Sequence, residues 1–282
     1  KKVSNIPLLV NSLRALLLGD LINRVSNATR PYEKEKGSVD KLKEKWIEIC
    51  RDNIVKMSSK SYRKIINDIV EDFDEIEVLD IKKPKAGIVG EILVKYLKEA
   101  NNHLQDTLEA EGAEVIIPDL MDFFMYCLAN TQIKKDLYGK SPMTAFFGKT
   151  AINTIEFYRK PIRKALKNSK RFDEPVYIND VKDFAKEVTS LGNQAGEGWL
   201  LAGEMIELIH QDAPNIVCIQ PFGCLPNHIT GKGVMKKIRE IYPQANVVAI
   251  DYDPGASEVN QINRVKLMMS QARENLKENV KA

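Results

Sequence analysis

Two stretches decide the fold: APNIVCIQPFGCLPNHITGKG at residues 213–233 and NVVAIDYDPGASEVNQINR at residues 246–264. Within them, Ile216–Ile219 and Val247–Ile250 are short apolar runs rich in β-branched residues, as is typical of strands covered on both faces. Between these runs, Val234–Tyr242 has apolar residues at helical spacing. We therefore predict a strand, a loop, a helix, a second parallel strand, an acidic loop and a closing helix.

The loops that follow these two strands carry the main candidate site. Pro221 and Gly223 end the first strand, so Cys224 falls on a loop. Asp251 and Asp253 follow the second strand in the same way. Because ligand crevices in open α/β sheets lie outside the carboxyl ends of the strands, we expect both loops to meet at one edge of the sheet.

Earlier in the chain, hydrophobic periodicity predicts further helices and a second β-α-β unit. Strands are predicted at Ala86–Ile92 and Ala113–Ile117, with a helix at Asn101–Glu111 between them. Pro84 marks the change from a helical N-terminal portion to this unit. Apolar stripes predict the remaining helices at 3–28, Val39–Met57, Ser61–Phe73, through 119–170, at Val181–Thr189 and at Trp199–Gln211.

The predicted fold class is α/β, with two Rossmann-like (flavodoxin-like) parallel-sheet parts, a helical N-terminal portion and bridging helices. The helical N-terminal portion is placed at 1–83. The first Rossmann-like part, with a helical extension, is placed at 84–174. The second Rossmann-like part, which carries the Cys224 loop, is placed at 175–282.

Composition narrows the possible partners. The 282 residues include 42 basic and 39 acidic ones, and a net charge of +3 does not indicate nucleic-acid binding. No apolar run reaches the roughly 20 residues of a membrane span, and no signal-peptide pattern is present. Four cysteines form neither a CxxC pair nor a disulfide framework. We therefore expect a cytoplasmic protein with no nucleic-acid and no membrane partner, and, because it starts at Lys1, a piece of a longer protein.

A cysteine on such a loop can be an iron ligand, a nucleophile or neither. A nucleophile would need a base, for which His228 is the nearby candidate, but no oxyanion-hole signature accompanies it. The chain offers too few well-spaced Cys and His residues for zinc. Cys50 and Cys127 are expected to be small core residues, and Cys218 should point into the core from its strand.

Several polar positions have two interpretations that the sequence leaves open. Glu91 borders a pocket or lies at a close-packed strand end. Glu197, in the glycine-rich bend 192–198, contacts substrate or belongs to a connection between helices. The aspartates after the second strand bind a ligand or metal, or cap a helix. The basic residues over 159–171 form a solvated face, or one that meets a phosphate or an acidic partner.

The motifs resemble those of the radical 2-hydroxyacyl-CoA dehydratase (2-hydroxyglutaryl-CoA dehydratase) superfamily. The closest similarity is to the C-terminal region of the acyl-CoA dehydratase activase-related fusion proteins of anaerobes, over nearly the whole chain. The residues that carry it are Gln220–His228, Ala249–Ser257, Gly87–Ile92, Gly112–Pro118 and Arg30–Glu33.

The resemblance implies a dehydratase-like module of a low-potential iron–sulfur reductase or dehydratase system that acts on a CoA thioester or another small substrate. In that superfamily, ATP-driven electron transfer yields a ketyl radical that expels a hydroxyl group. Cys224 matches the last ligand of a 4Fe-4S cluster, and Cys218 is a weaker candidate. The other ligands are missing, so the isolated chain is expected to be inactive. The candidate substrate pocket comprises Glu91, Glu197, Gly223, Asn227, His228, Asp251 and Asp253.

The resemblance also implies a partner. The phosphate-binding motifs of the activase nucleotide domain are absent, so we expect no ATP site in this chain and an ATP-dependent activase domain or subunit as its partner. The alternative is a non-catalytic docking or scaffold module for that domain. A catalytic module should present Cys224 in an apolar-walled cleft, whereas a docking module should bury Cys224 and have its largest exposed patch elsewhere. A thiol hydrolase would need Cys224 and His228 within hydrogen-bond reach.

Overall fold

A computed structural model describes residues 6–253 and 255–281, without the side chains of Ile6 and of residues 278–281. Residues 3–5 of the first predicted helix and Pro254 of the acidic loop lie outside the described residues. The helices and strands of this part follow one another as α1 (Ile6–Thr29), α2 (Ser38–Asn53), α3 (Ser59–Asp74), β1 (Lys85–Gly90), α4 (Ile92–Tyr96), α5 (Leu104–Ala110), β2 (Glu114–Ile116), α6 (Leu120–Tyr138), α7 (Pro142–Asn168), α8 (Ile178–Lys186), α9 (Trp199–His210), β3 (Asn215–Gln220), α10 (Met235–Ile241), β4 (Asn246–Asp251) and α11 (Glu258–Lys281).

The described residues fall into two compact units. The helical unit contains the residues up to Ile81 together with Asp119–Gln132 and Ser141–Pro175. The sheet unit contains Lys82–Pro118, Ile133–Lys140 and the residues from Val176 onward. The division into three domains at 83/84 and 174/175 stays a prediction, and both boundaries lie within about two residues of places where the chain passes between the units.

The sheet unit is built on a four-stranded sheet in the order β2-β1-β3-β4, with every pair parallel. Gly87 lies opposite Ile216 in the β1–β3 pair, and Cys218 lies opposite Ala249 in the β3–β4 pair. The predicted α/β class and parallel strands are confirmed. Two separate Rossmann-like parts are not confirmed, because β1 and β3 are neighbours and the two β-α-β units share one sheet.

Buried side chains cover both faces of this sheet. Val217 and Ile219 belong to the cluster that includes α5 and α11, whereas Ile216 and Cys218 belong to the cluster that includes α9 and α10. Successive residues of a strand point to opposite faces, so a strand covered on both faces has no polar side. This explains why the strands of the sequence are continuous apolar runs.

Gly90 ends β1 with a close approach to β3. Its φ is +150°, and an added Cβ would lie 1.9 Å from the carbonyl oxygen of Ile219. That oxygen accepts a hydrogen bond from the backbone N–H of Glu91 at 2.9 Å. A side chain cannot occupy this position without moving one strand, so glycine sets how closely the two strand ends meet.

The helical unit buries a network of charged side chains. Asp119 contacts Arg24 at 2.8 Å and Arg159 at 2.7 Å, and Arg159 also contacts Asp122 at 2.8 Å. Asp20 accepts the backbone N–H groups of residues 120 and 121, at 3.1 and 3.0 Å, and so caps α6. Buried charges are tolerated where they are paired in this way.

This network changes the interpretation of the basic residues over 159–171. Arg159 and Arg163 are buried in ion pairs, and Arg171 donates to three backbone carbonyl oxygens at the end of α3 and just beyond it. Of the basic residues from 159 onward, those that are exposed on α7 are Lys160, Lys164 and Lys167. The arginines therefore hold the unit together instead of forming one solvated face. Among the described residues, no helix has the length and apolar character needed to cross a membrane.

Candidate functional site

The loops after β3 and β4 meet at one edge of the sheet, as the sequence predicts. The side-chain amide of Gln220 donates to Asp251 at 2.8 Å. Two residues further along each loop, the backbone N–H of Phe222 donates to both oxygens of Asp253, at 3.0 and 2.8 Å. These bonds hold the two loops together. Both predicted aspartates therefore accept hydrogen bonds from β3 or from the loop that follows it.

Lys232 is a residue of this site that the sequence analysis missed. Its Nζ contacts both carboxylate oxygens of Asp251, at 2.7 and 2.9 Å. Burial alone would raise the pKa of Asp251, but the hydrogen bonds from Lys232 and Gln220 outweigh burial and lower it. Lys232 follows His228 by one helical turn, and that i, i+4 spacing is the signal that could have identified it.

His228 has both ring nitrogens occupied. Nδ1 lies 2.8 Å from the backbone carbonyl oxygen of Cys224, and Nε2 lies 3.3 Å from Nζ of Lys232. A carbonyl oxygen only accepts, so Nδ1 donates to it. Neither ring nitrogen is bonded to the thiol. The Cys224–His228 pair that a thiol hydrolase would need is not formed.

Cys224 lies in the loop between β3 and a π-helical turn at Asn227–Gly231, and it is half-buried. Its Sγ is 3.4 Å from one side-chain amide atom of Asn227. That atom is identified as Nδ2 because it lies 3.0 Å from a carboxylate oxygen of Glu197, while the other amide atom receives the N–H of Glu91 at 2.9 Å. The sulfur therefore faces an N–H donor, a contact that suits a thiolate.

The two predicted glutamates lie next to this group and bind backbone. Glu91 accepts from the N–H of Val94 at 2.9 Å and caps the short helix α4. Glu197 is buried, and its other oxygen accepts from the N–H of Ile92 at 3.0 Å. The prediction that Glu197 lies near the Cys224 loop is confirmed by its bond to Asn227. A substrate contact for either glutamate stays a prediction.

The surface around Cys224 is apolar. Phe222 is 77% exposed, Leu225 67% and Ile229 50%. Gly223 takes the left-handed conformation with φ +75°, which turns the chain between Phe222 and Cys224. Large apolar side chains that face solvent on this loop and on the π-helical turn after it form a patch suited to contact with another molecule. We call these three residues the Cys224 patch.

A pocket of about 560 Å³ lies on the α11 side of the same sheet edge. Asp251 lines it, and Cys224 does not. The other lining residues are Ile250, Ala256, Ser257, Asn260, Gln261, Asn263, Arg264 and Leu267. Asp251 thus faces both the ion pair with Lys232 and this pocket. Helix α11 itself begins behind Ser257, whose hydroxyl oxygen lies 3.4 Å from the N–H of Asn260, so the aspartates are not needed to cap it.

The residues present do not fit a complete iron–sulfur cluster. A cubane cluster takes about four cysteine ligands. Cys218 is wholly buried in β3, and burial raises the pKa of its thiol to about 12. Cys50 and Cys127 belong to the helical unit, where Cys127 is exposed and was wrongly expected in the core. No group of three or more His, Cys, Asp or Glu residues suited to a metal exists within 6–253 and 255–281.

Comparisons with protein-family models, with curated proteins and with solved structures found no match to this chain. The function is therefore argued from the geometry of the site and from the motifs of the sequence. The geometry contributes one accessible thiol, Cys224, an N–H donor beside it and the exposed patch around it.

Proposed function

We propose that this chain is a dehydratase-like module of a low-potential iron–sulfur system that acts on a CoA thioester or another small substrate, with Cys224 as the one thiolate it contributes to a cluster. The observation that carries the proposal is the position of Cys224, half-buried on the first loop beyond a parallel strand. Loops at this edge of an α/β sheet are where ligands bind. In this proposal the two β-α-β units are the counterparts of the two Rossmann-like parts.

The remaining ligands would come from another polypeptide segment. Cys218 is sealed inside the sheet, so Cys224 is the ligand that the sheet unit offers. The Cys224 patch surrounds this thiol with exposed apolar side chains, which supports docking of a second protein surface at the same place. The ATP-dependent activase domain or subunit is the partner that we propose for it.

The residues around Cys224 would orient its sulfur toward a cluster. Asn227 is buried and aims an N–H group at the sulfur, which orients it. The ring of His228 is bonded to the backbone of Cys224 and to Lys232, so it neither donates to nor accepts from the sulfur. A bound cluster would supply low-potential electrons.

Anaerobic reconstitution tests the proposal. The chain is incubated with iron, sulfide and an excess of a small thiol that can fill the missing ligand positions, then desalted. Iron, sulfide and the electron paramagnetic resonance spectrum are measured for the wild type, Cys224→Ser and the matched control Cys127→Ser, whose thiol is exposed in the helical unit. We expect retained iron in the wild type and in the control, and its loss in Cys224→Ser.

Two outcomes would count against the cluster. Equal iron in Cys224→Ser and the control would place the metal elsewhere. No iron in any of the three proteins would leave the second candidate function, a docking or scaffold module for the activase domain that binds no cluster. The incomplete set of cluster ligands, with Cys218 sealed inside β3, favours that candidate, whereas the half-buried position of Cys224 does not.

A further inference from the structure

The helical unit contains a pocket of about 700 Å³ that shares no residue with the Cys224 site. It is lined by residues of α1, α3 and α7 and by Ser59 and Ser169 at the helix ends. Pockets that take small molecules have volumes of about 300–1,000 Å³. This pocket therefore has the size of a small-molecule site.

Arg14 lines the pocket as a buried cation that has no carboxylate partner within the part of the chain that the structure describes. It is 6% exposed, and its guanidinium donates to the carbonyl oxygen of Met57 at 2.5 Å and to the hydroxyl of Ser59 at 3.1 Å. The same group lies 5.4 Å from the ring centroids of both Tyr62 and Tyr158. Its Nε is buried and has no hydrogen-bond partner. A buried charge balanced only by neutral groups is unfavourable unless an anion comes close.

The mouth of the pocket adds more positive charge. Arg63, Lys160 and Lys164 line it with exposed side chains, and the contact of Arg63 is with the backbone carbonyl oxygen of residue 59 at 3.3 Å. Glu71 and Asp74 also line the pocket, so four basic side chains including Arg14 face two carboxylates. Neither lysine has an ion-pair partner among the described residues. The pocket is positively charged as a whole.

Aromatic side chains form the rest of the wall. Tyr62 is buried and donates its hydroxyl to the carbonyl oxygen of Tyr158 at 3.2 Å. Phe157 is 72% exposed and packs edge-on against Tyr158, with ring centroids 5.5 Å apart. Val70, Pro161 and Ala165 complete this apolar surface. Aromatic rings of this kind bind flat, apolar groups.

We propose that this pocket binds an organic anion in which a carboxylate or a phosphate is joined to a flat, apolar body. The body lies against Phe157 and Tyr158, and the anionic group lies among Arg63, Lys160 and Lys164, where its charge also balances that of Arg14. Both features of the ligand are needed: the rings provide the contact area, and the cations provide the selectivity for negative charge.

Ligand-observed NMR titration of the full chain tests the proposal with four probes. Benzoate and phenyl phosphate represent the two anionic groups on the same ring, benzyl alcohol is the neutral control, and inorganic phosphate lacks the apolar body. We expect saturable binding of at least one aromatic anion, about tenfold tighter than that of benzyl alcohol and of inorganic phosphate. The stronger of the two anions identifies the group. Equal binding of benzyl alcohol, or no saturable binding of either anion, would overturn the proposal.

Variants of α7 locate the binding. Lys160→Gln with Lys164→Gln should weaken binding of the preferred anion about tenfold, since both side chains are exposed and their loss leaves the core intact. Lys167→Gln removes an exposed charge from the same helix at a position that does not line the pocket, and it should leave the affinity unchanged. An equal loss of affinity in Lys167→Gln would show nonspecific attraction to the helix and would overturn the assignment to this pocket.

Discussion

Asn227 is wholly buried and joins three parts of the sheet unit. Its amide accepts from the backbone of Glu91, donates to the carboxylate of Glu197 and faces the sulfur of Cys224. An amide offers a donor and an acceptor on one planar group of this size at any pH, whereas a carboxyl does so only when it is protonated. Its identity is therefore fixed by its neighbours, and a carboxylate of the same shape would not serve.

We predict that Asn227→Asp destabilises the protein. The new carboxylate would replace the N–H donor 3.0 Å from Glu197, so two acceptors would face each other in a buried place, at a loss of about 2–4 kcal/mol. The loss should be smaller at about pH 5 than at about pH 8, because two such carboxyls retain a shared proton at lower pH. Urea unfolding at both pH values measures it. Asn260→Asp, exposed on α11, should change little, and an equally small change in Asn227→Asp would contradict the prediction.

Some residues of this site could be predicted because neighbouring residues in the sequence determine their position, and others could not because distant residues do. Cys224 and Asp253 follow strand ends and Asp251 is the last residue of β4, and strand ends are visible in the sequence as apolar runs that stop. Lys232 and Asn227 depend on contacts with residues distant in the chain, Asp251 in one case and Glu197 in the other. The i, i+4 spacing of Lys232 from His228 is visible in the sequence, but no local pattern specifies the contacts with Asp251 and Glu197.

Among the secondary-structure elements, short helices and unusual backbone conformations limited the prediction. Helix α4 has five residues, too few for a periodic pattern, and exists because Glu91 and Glu197 accept its first N–H groups. The helix predicted from residue 101 begins at Leu104, because Asn102 and His103 have φ values of +48° and +54°. The strands were predicted to within about two residues because their apolar runs are complete.

Two helical glycines, one tightly packed and one not, allow helix packing to be tested with a pair of alanine variants. Gly203 lies in α9, and an added Cβ would be 2.6 Å from the backbone oxygen of Val181 in α8. We expect Gly203→Ala to lower the unfolding free energy by about 2–4 kcal/mol, since backbone must move. A Cβ added at Gly19 in α1 would meet none of the described residues beyond its own helix within 4 Å, so Gly19→Ala should raise the unfolding free energy by about 0.5–1 kcal/mol. Chemical denaturation of both variants measures the difference, and loss of stability in both would contradict this account.

In the molecule as a whole, the joining of two β-α-β units into one sheet was not predicted. Each unit is encoded locally, but the pairing of β1 with β3 depends on residues far apart in the chain. Gly90 in β1 is a local sign of the β1–β3 pairing, because an added Cβ there would clash with the backbone of Ile219 in β3. A glycine at a strand end indicates close backbone contact, although it does not identify the neighbouring strand.

The pH dependence of global stability follows from the charges buried in the helical unit. Burial and the nearby Asp119 raise the pKa of Asp20 to about 8. Burial also raises the pKa of Asp122, despite its contact with Arg159. For Asp119, burial acts in the same direction, but Arg24 and Arg159 outweigh it and lower the pKa. Asp20 and Asp122 are thus the carboxyls that hold protons more strongly in the folded chain than in the unfolded one.

The unfolding free energy should therefore fall as the pH rises from about 5 to about 8. In this window the folded chain keeps a proton on Asp20 that the unfolded chain, with an ordinary pKa of 3.8, has already lost, so deprotonation favours unfolding. Asp251, with a lowered pKa, titrates below the window and does not mask the trend. Urea titrations followed by circular dichroism measure it. Asp20→Asn cannot ionise and should show a flatter profile, whereas the same slope in both proteins would mean that Asp20 is not the responsible group.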